Sequence, residues 1–295
     1  MASLYTHQDE NIRKTWFLMA AFLAVFILLG WAVSAYLGNP GILYGAVGFA
    51  LILNIWSYWY SDKVAIRMAG AVPMPDEGEF KETHNIVENL AITAGLPKPK
   101  LYVIHDPAPN AFATGRNAER AAVAVTTGLL SIMERHELEG VLAHELSHIG
   151  NRDILISTIV VVLVGAISII ADMFLRMSMF GGNRDRNTGA LVAVLAVAAA
   201  ILTPIAATLI QLAISRKREF LADASGALLT RYPDGLASAL QKIGSYKAPM
   251  KKAHTATAHL FIANPFGASA GRSFAKLFMT HPPVEERVSA LLGKG

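Results

Sequence analysis

Charge disappears from the chain in long runs, and those runs set its organisation. Residues 16–37 carry no charged side chain and neither do residues 41–60, with Gly38-Asn39-Pro40 between them. A helix rises about 1.5 Å per residue, so either run can cross a hydrocarbon core about 30 Å thick. A secretory signal would have a shorter apolar core and a small-residue cleavage site. Residues 1–60 are therefore expected to form a transmembrane hairpin. Trp56, Tyr58, Trp59 and Tyr60 end its second run as an interfacial aromatic belt would, and a packed aromatic cluster is the alternative. Arg13, Lys14, Lys63 and Arg67 all flank its open side, which puts both ends in the cytoplasm.

From 61 to 153 the pattern is that of a globular protein. A charged helix is predicted over 75–95, stopped by Gly95-Leu96-Pro97. Strands are predicted at 100–105 and 121–126, with a loop over 106–115 running into a strand edge. A second helix of this stretch follows, with Leu138, Val141, Leu142, Leu146 and Ile149 on one stripe and Gly150-Asn151 as its stop. Residues 154–215 turn apolar again, and spans are expected over 154–175 and 189–215. Arg176, Arg184 and Arg186 in the link would then face outward, against the charge rule. Segment length favours spanning over a hairpin that lies in the interface or packs on the globular part. Residues 216–295 return to globular character and complete the domain begun at 61.

Composition agrees with a membrane protein, at 53% hydrophobic and 16% charged residues. A net charge of +4 is mild and suits cytoplasmic loops better than nucleic-acid binding. The chain has no cysteine, which excludes disulfides, Cys-liganded zinc and a thiol nucleophile.

The candidate chemistry lies in His144-Glu145-Leu146-Ser147-His148. Two histidines four apart on a helix share a face, so both imidazoles can reach one ion. A glutamate beside the first can touch a water on that ion, which gives two zinc ligands and a general base. Catalytic zinc takes a third protein ligand and keeps one position open. Glu219 and Asp223, i and i+4 in 215–227, can supply that ligand and a carboxylate to orient a ligand histidine. The alternative is a solvated pair beside the basic residues Arg216, Lys217 and Arg218, themselves read as membrane anchors, one of which could order the carboxylates. Asn151 and Ile154 occupy the positions where a metzincin has glycine and histidine, so that scheme fails.

These motifs carry a resemblance. The stretches 109–115 (Pro-Asn-Ala-Phe-Ala-Thr-Gly), 144–153, 218–223 (Arg-Glu-Phe-Leu-Ala-Asp) and 280–287 (Thr-His-Pro-Pro-Val-Glu-Glu-Arg), in this order and with two apolar hairpins, resemble the integral-membrane zinc metallopeptidases of family M48, of the HtpX-like kind. The likeness runs over nearly the whole chain. It implies a mostly α (α+β) fold: a helical membrane protein with two transmembrane hairpins and a gluzincin-like protease domain carrying a small β-sheet. It further implies one Zn2+ per chain in a site facing the cytoplasm of a bacterial inner membrane. The implied substrates are unfolded or misfolded membrane and cytosolic proteins, with a role in quality control. By the same likeness Asn110 and Ala111 lie on or beside an edge strand that holds extended substrate, where strand addition suits broad specificity. An ordinary Asn-containing turn is the alternative. His281 matches a downstream histidine that could bond the oxyanion, or it is a helix-entry residue before Pro282. Arg287 is expected either to pair with a site carboxylate or to sit on a solvated face. His84, His105, His136, His254 and His259 are read as ordinary structural or surface residues.

Two rival classes make different demands. An intramembrane zinc protease needs its motif within a membrane span, and here the motif helix is charged. A non-enzymatic scaffold with a structural metal needs no base, and Glu145 is present.

Overall fold

The computed structural model describes residues 4–180, 197–198, 200–202, 204–205, 208–209, 215–267 and 282–293. Two long helices come first, α1 (Leu4–Leu37) and α2 (Gly41–Met68). Both extend beyond the uncharged runs, so each carries a polar end past the apolar length. Their outer faces show Phe17, Leu28, Trp31, Ile52 and Ile55, all more than half exposed. Apolar side chains exposed on this scale over whole helices belong in lipid rather than water. Trp56, Trp59 and Tyr60 are also exposed, and ring contacts join Tyr58 to Trp16 and to Trp59, and Trp56 to Tyr60.

A small sheet follows. Strands β1 (Val72–Pro73), β2 (Lys100–Ile104), β3 (Ala111–Thr114) and β4 (Ala122–Thr126) lie in the order β1-β2-β4-β3. β2 and β4 are parallel and the other pairs antiparallel. All five residues of β4 are buried, so both faces of the sheet are covered. Alternation sorts them: Val123 and Val125 join Ala111 and Ala113 in one core, whereas Ala122 and Ala124 join Phe112 in another. The first core is closed by α3 (Lys81–Ala94) and α5 (Arg135–Gly150) through Ile86, Leu90, Leu142 and Leu146. The second meets Ala65 and Ile66 of α2 and Val161 of α6 (Asp153–Phe180). The sheet is therefore sandwiched between the globular helices and the inner ends of the apolar ones.

The helix expected from residue 75 starts only at Lys81. Gly78 takes a left-handed φ of 67° at the start of a short 3-10 turn, Gly78–Phe80, which breaks the α geometry. Between β4 and α5 sits the short α4 (Thr127–Ile132), capped by the Thr126 hydroxyl on Leu129 N–H at 3.1 Å. The chain continues as α7 (Arg216–Thr230), α8 (Pro233–Ser245) and α9 (Val284–Leu291), all gathered on α5 or on one another. Most of the expected span 189–215 lies outside the described residues. Its partner α6 differs from the first hairpin: 67% of its apolar window is buried in protein, against 28% for α1 and 17% for α2.

Candidate active site

Helix α5 begins with a reach-back bond from Glu134 N–H to the Glu137 carboxylate at 2.8 Å. Lys242 of α8 binds the same carboxylate at 2.6 Å, which fixes the helix start. Burial pushes the Glu137 carboxyl up, but the bonds from Lys242, Ser238 and Glu134 N–H outweigh it and hold it below the usual carboxylate range. The apolar stripe turns into the core, and His144, Glu145 and His148 look toward α6 and α7.

α7 can approach because of one residue. A Cβ on Gly226 would lie 2.9 Å from His144 N, closer than real contacts allow. The two helices therefore pack backbone to backbone, and Glu219 and Asp223 reach the histidines. Glu219 Oε2 lies 3.8 Å from His144 Nε2, Glu219 Oε1 lies 3.7 Å from His148 Nε2, and the two Nε2 atoms are 3.2 Å apart. Tetrahedral zinc with bonds of about 2.0–2.1 Å sets its ligand atoms roughly 3.3 Å apart, so these three groups fit one ion.

The opposite ring nitrogens are both engaged. Asp223 Oδ1 sits 2.9 Å from His144 Nδ1, and Asp153 Oδ2 sits 3.0 Å from His148 Nδ1. A carboxylate on Nδ1 places the proton there and turns the Nε2 lone pair toward the shared point. Burial lowers the His148 pKa, but the bond to Asp153 and the charges of Glu219, Asp153 and Glu145 raise it to about 9. A cation entering this site therefore displaces a proton. Arg287 of α9 is 1% exposed and donates to both oxygens of Asp223. Burial pushes the Asp223 carboxyl up, and Arg287 and His144 more than reverse this.

Similarity to known proteins agrees with this geometry. Residues 77–294 match the model of "Peptidase family M48". The chain belongs to peptidase family M48. The full-length relatives include a protease HtpX homolog of Caldanaerobacter subterraneus subsp. tengcongensis, 47% identical over 98% of this chain and 97% of the relative. Another is a protease HtpX homolog of Pyrococcus furiosus, 48% identical over 94% of each chain. Among solved structures, the Ste24p of S. mikatae matches with a TM-score of 0.51 over 97% of this chain and 67% of its own, at 18% identity. That likeness extends to the fold.

This M48 peptidase brings His144, Glu145, His148, Glu219 and Asp223 together, and His281 lies outside the described residues. Ala111 is the first residue of the edge strand β3 and Asn110 directly precedes it, and both are already engaged within the chain. The Asn110 amide accepts from Ala263 N–H and donates to Ala263 C=O, while Ala111 C=O accepts from Ile262 N–H at 2.9 Å. The solvated reading of Arg287 is corrected, since the guanidinium is enclosed. His259, read as ordinary, lines the same cleft as Glu145 and His148, with Nε2 2.9 Å from Ser157 O. The partner of His148 was missed as a role. Asp153 returns to the ring across a turn between α5 and α6 in which Arg152 takes a left-handed φ of 58°. The one available signal was a carboxylate directly after the helix stop.

Proposed function

We propose that this membrane-bound M48 peptidase is a zinc endopeptidase of the bacterial cytoplasmic membrane, with its site and both termini on the cytoplasmic side. Its substrates in this reading are unfolded or misfolded membrane and cytosolic proteins, cut in quality control. One observation carries the chemistry: two Nε2 atoms and the Glu219 carboxylate converge while each Nδ1 is held by its own carboxylate. His144, His148 and Glu219 would hold the ion. Bound zinc would supply a Lewis acid for the peptide carbonyl and an acidified water.

The remaining work falls to the chain. Glu145, 2% exposed and lining the cleft, takes the proton of the attacking water and returns it to the leaving amine. Asp223 and Asp153 keep each imidazole in the ligand tautomer, and Arg287 keeps Asp223 ionised. His281 is assigned the oxyanion on the family likeness alone. Extended substrate adds to the edge of β3, and at Ala111 it must displace the chain's own Ile262. The basic residues flanking the first hairpin support the cytoplasmic orientation.

The test pairs zinc analysis with casein proteolysis on detergent-purified wild type and Glu145→Ala. One zinc in each with cleavage only by wild type is expected. Equal cleavage by the two would overturn the assignment of Glu145.

A further inference from the structure

The first membrane helix reaches into the metal site. Asn11, near the cytoplasmic end of α1, is 3% exposed, and each of its amide groups has a partner more than 130 residues away in sequence. Its Nδ2 donates to Asp153 Oδ1 at 2.7 Å and to Asn151 C=O at 3.1 Å. Its Oδ1 accepts from Arg218 Nη1 at 3.3 Å, and Arg218 Nε lies 3.5 Å from the same Asp153 oxygen. The other oxygen of Asp153 holds His148 Nδ1. One turn earlier on α1, Gln8 donates to Gly150 C=O at the end of α5 at 2.6 Å.

A buried amide on an apolar helix costs free energy unless it is bonded, and here two of its bonds go to the Asp153 carboxylate that holds His148 and to the Arg218 guanidinium beside that carboxylate. The amide is also matched in sense: it donates to the carboxylate and accepts from the guanidinium. A carboxylate in its place would repel Asp153, and an apolar side chain would leave one Asp153 oxygen to Arg218 alone. We propose that Asn11 is a positioning residue for the metal site, acting through Asp153 on His148. The membrane hairpin thereby orients the metal ligand as well as anchoring the protein. This rests on the metallopeptidase reading above.

The test measures zinc affinity by competition with a chelator and the visible spectrum of the Co2+-substituted protein, in full-length protein in detergent. Asn11→Leu keeps the branched outline of the side chain and removes the bonds. Asn54→Leu is the control, because Asn54 is buried in the same hairpin and donates to the main-chain oxygen of Met19. Asn11→Leu should weaken zinc about tenfold and shift the Co2+ bands, with Asn54→Leu like wild type in both. Asn11→Ser, which keeps one hydroxyl, should fall between and covers the case of a leucine variant that does not fold. Combined with Asp153→Asn, the Asn11 substitution should add little to the loss from Asp153→Asn alone, since both act on one chain of bonds. Wild-type affinity and spectrum in the Asn11 variants, or equal losses in Asn11→Leu and Asn54→Leu, would overturn the role of Asn11. Fewer than one zinc per chain in wild type would instead overturn the metallopeptidase reading, and this inference with it.

Discussion

Arg287 forks onto Asp223, with Nε 2.8 Å from Oδ2 and Nη2 2.6 Å from Oδ1. The pair is almost wholly enclosed, and Asp223 Oδ1 also faces His144 Nδ1. Removing one partner of a buried ion pair strands the other charge, at a typical cost of about 3–5 kcal/mol. Arg287→Ala should therefore lower stability by that order and weaken zinc together with it. Arg287→Lys keeps the charge but loses the planar fork, and should restore only part of each. Thermal unfolding and zinc titration of the two variants check this, and an Arg287→Ala protein as stable as wild type would contradict it.

Glu145 and the ligand residues should separate cleanly. Glu145→Gln keeps the size of the side chain and removes the base, so peptide hydrolysis should fall about 10²–10⁴-fold with zinc retained. His148→Ala or Glu219→Ala should lose zinc and cleavage together. A chelator should abolish cleavage by wild type, and added Zn2+ should restore it. Metal analysis beside a peptidase assay distinguishes the two groups of variants.

Gly226 sets the distance between α5 and α7. A methyl group there meets the His144 backbone at 2.9 Å, and main chain cannot swing aside as a side chain tip can. Gly226→Ala should force the helices apart, cost about 1–3 kcal/mol and reduce zinc affinity. Gly45 on α2 has open space around its Cβ position, so Gly45→Ala should show neither effect. Equal zinc affinity in Gly226→Ala and wild type would mean that α7 tolerates displacement.

Acid should loosen the start of the motif helix. Glu137 titrates below its ordinary 4.5 in the folded protein, where Lys242, Ser238 and Glu134 N–H bind it against the opposing effect of burial. Its folded value is depressed, so its contribution is present above about pH 4.5 and is lost as pH falls through the folded value. Glu137→Gln should therefore be less stable than wild type at neutral pH, with the difference shrinking as pH falls below about 4.5. Unfolding midpoints of both proteins across that range give the comparison.

Sequence periodicity carried much of the site. Spacing alone put His144 and His148 on one face, Glu145 beside them, and Glu219 with Asp223 one turn apart, because contacts within a turn follow from helix geometry. What periodicity could not show was which distant group would complete each bond. Arg287 stands 64 residues beyond Asp223, and Asn11 stands 142 before Asp153. Neither separation follows any local repeat. The occupation of Ala111 by Ile262 was hidden for the same reason, since strand edges are satisfied by whatever segment the fold brings past them.

The apolar runs divide along the same line. By itself the sequence determined that residues 16–37, 41–60 and 154–175 are helical and must leave water, because length and scarcity of charge suffice for that. Only the tertiary structure decided what each run faces. α1 and α2 turn most of their apolar windows outward, whereas α6 buries most of its own against α1, α2 and the sheet. Lipid tails and a packed protein core are equally apolar, so hydropathy reads both environments alike, and three-dimensional packing distinguishes them.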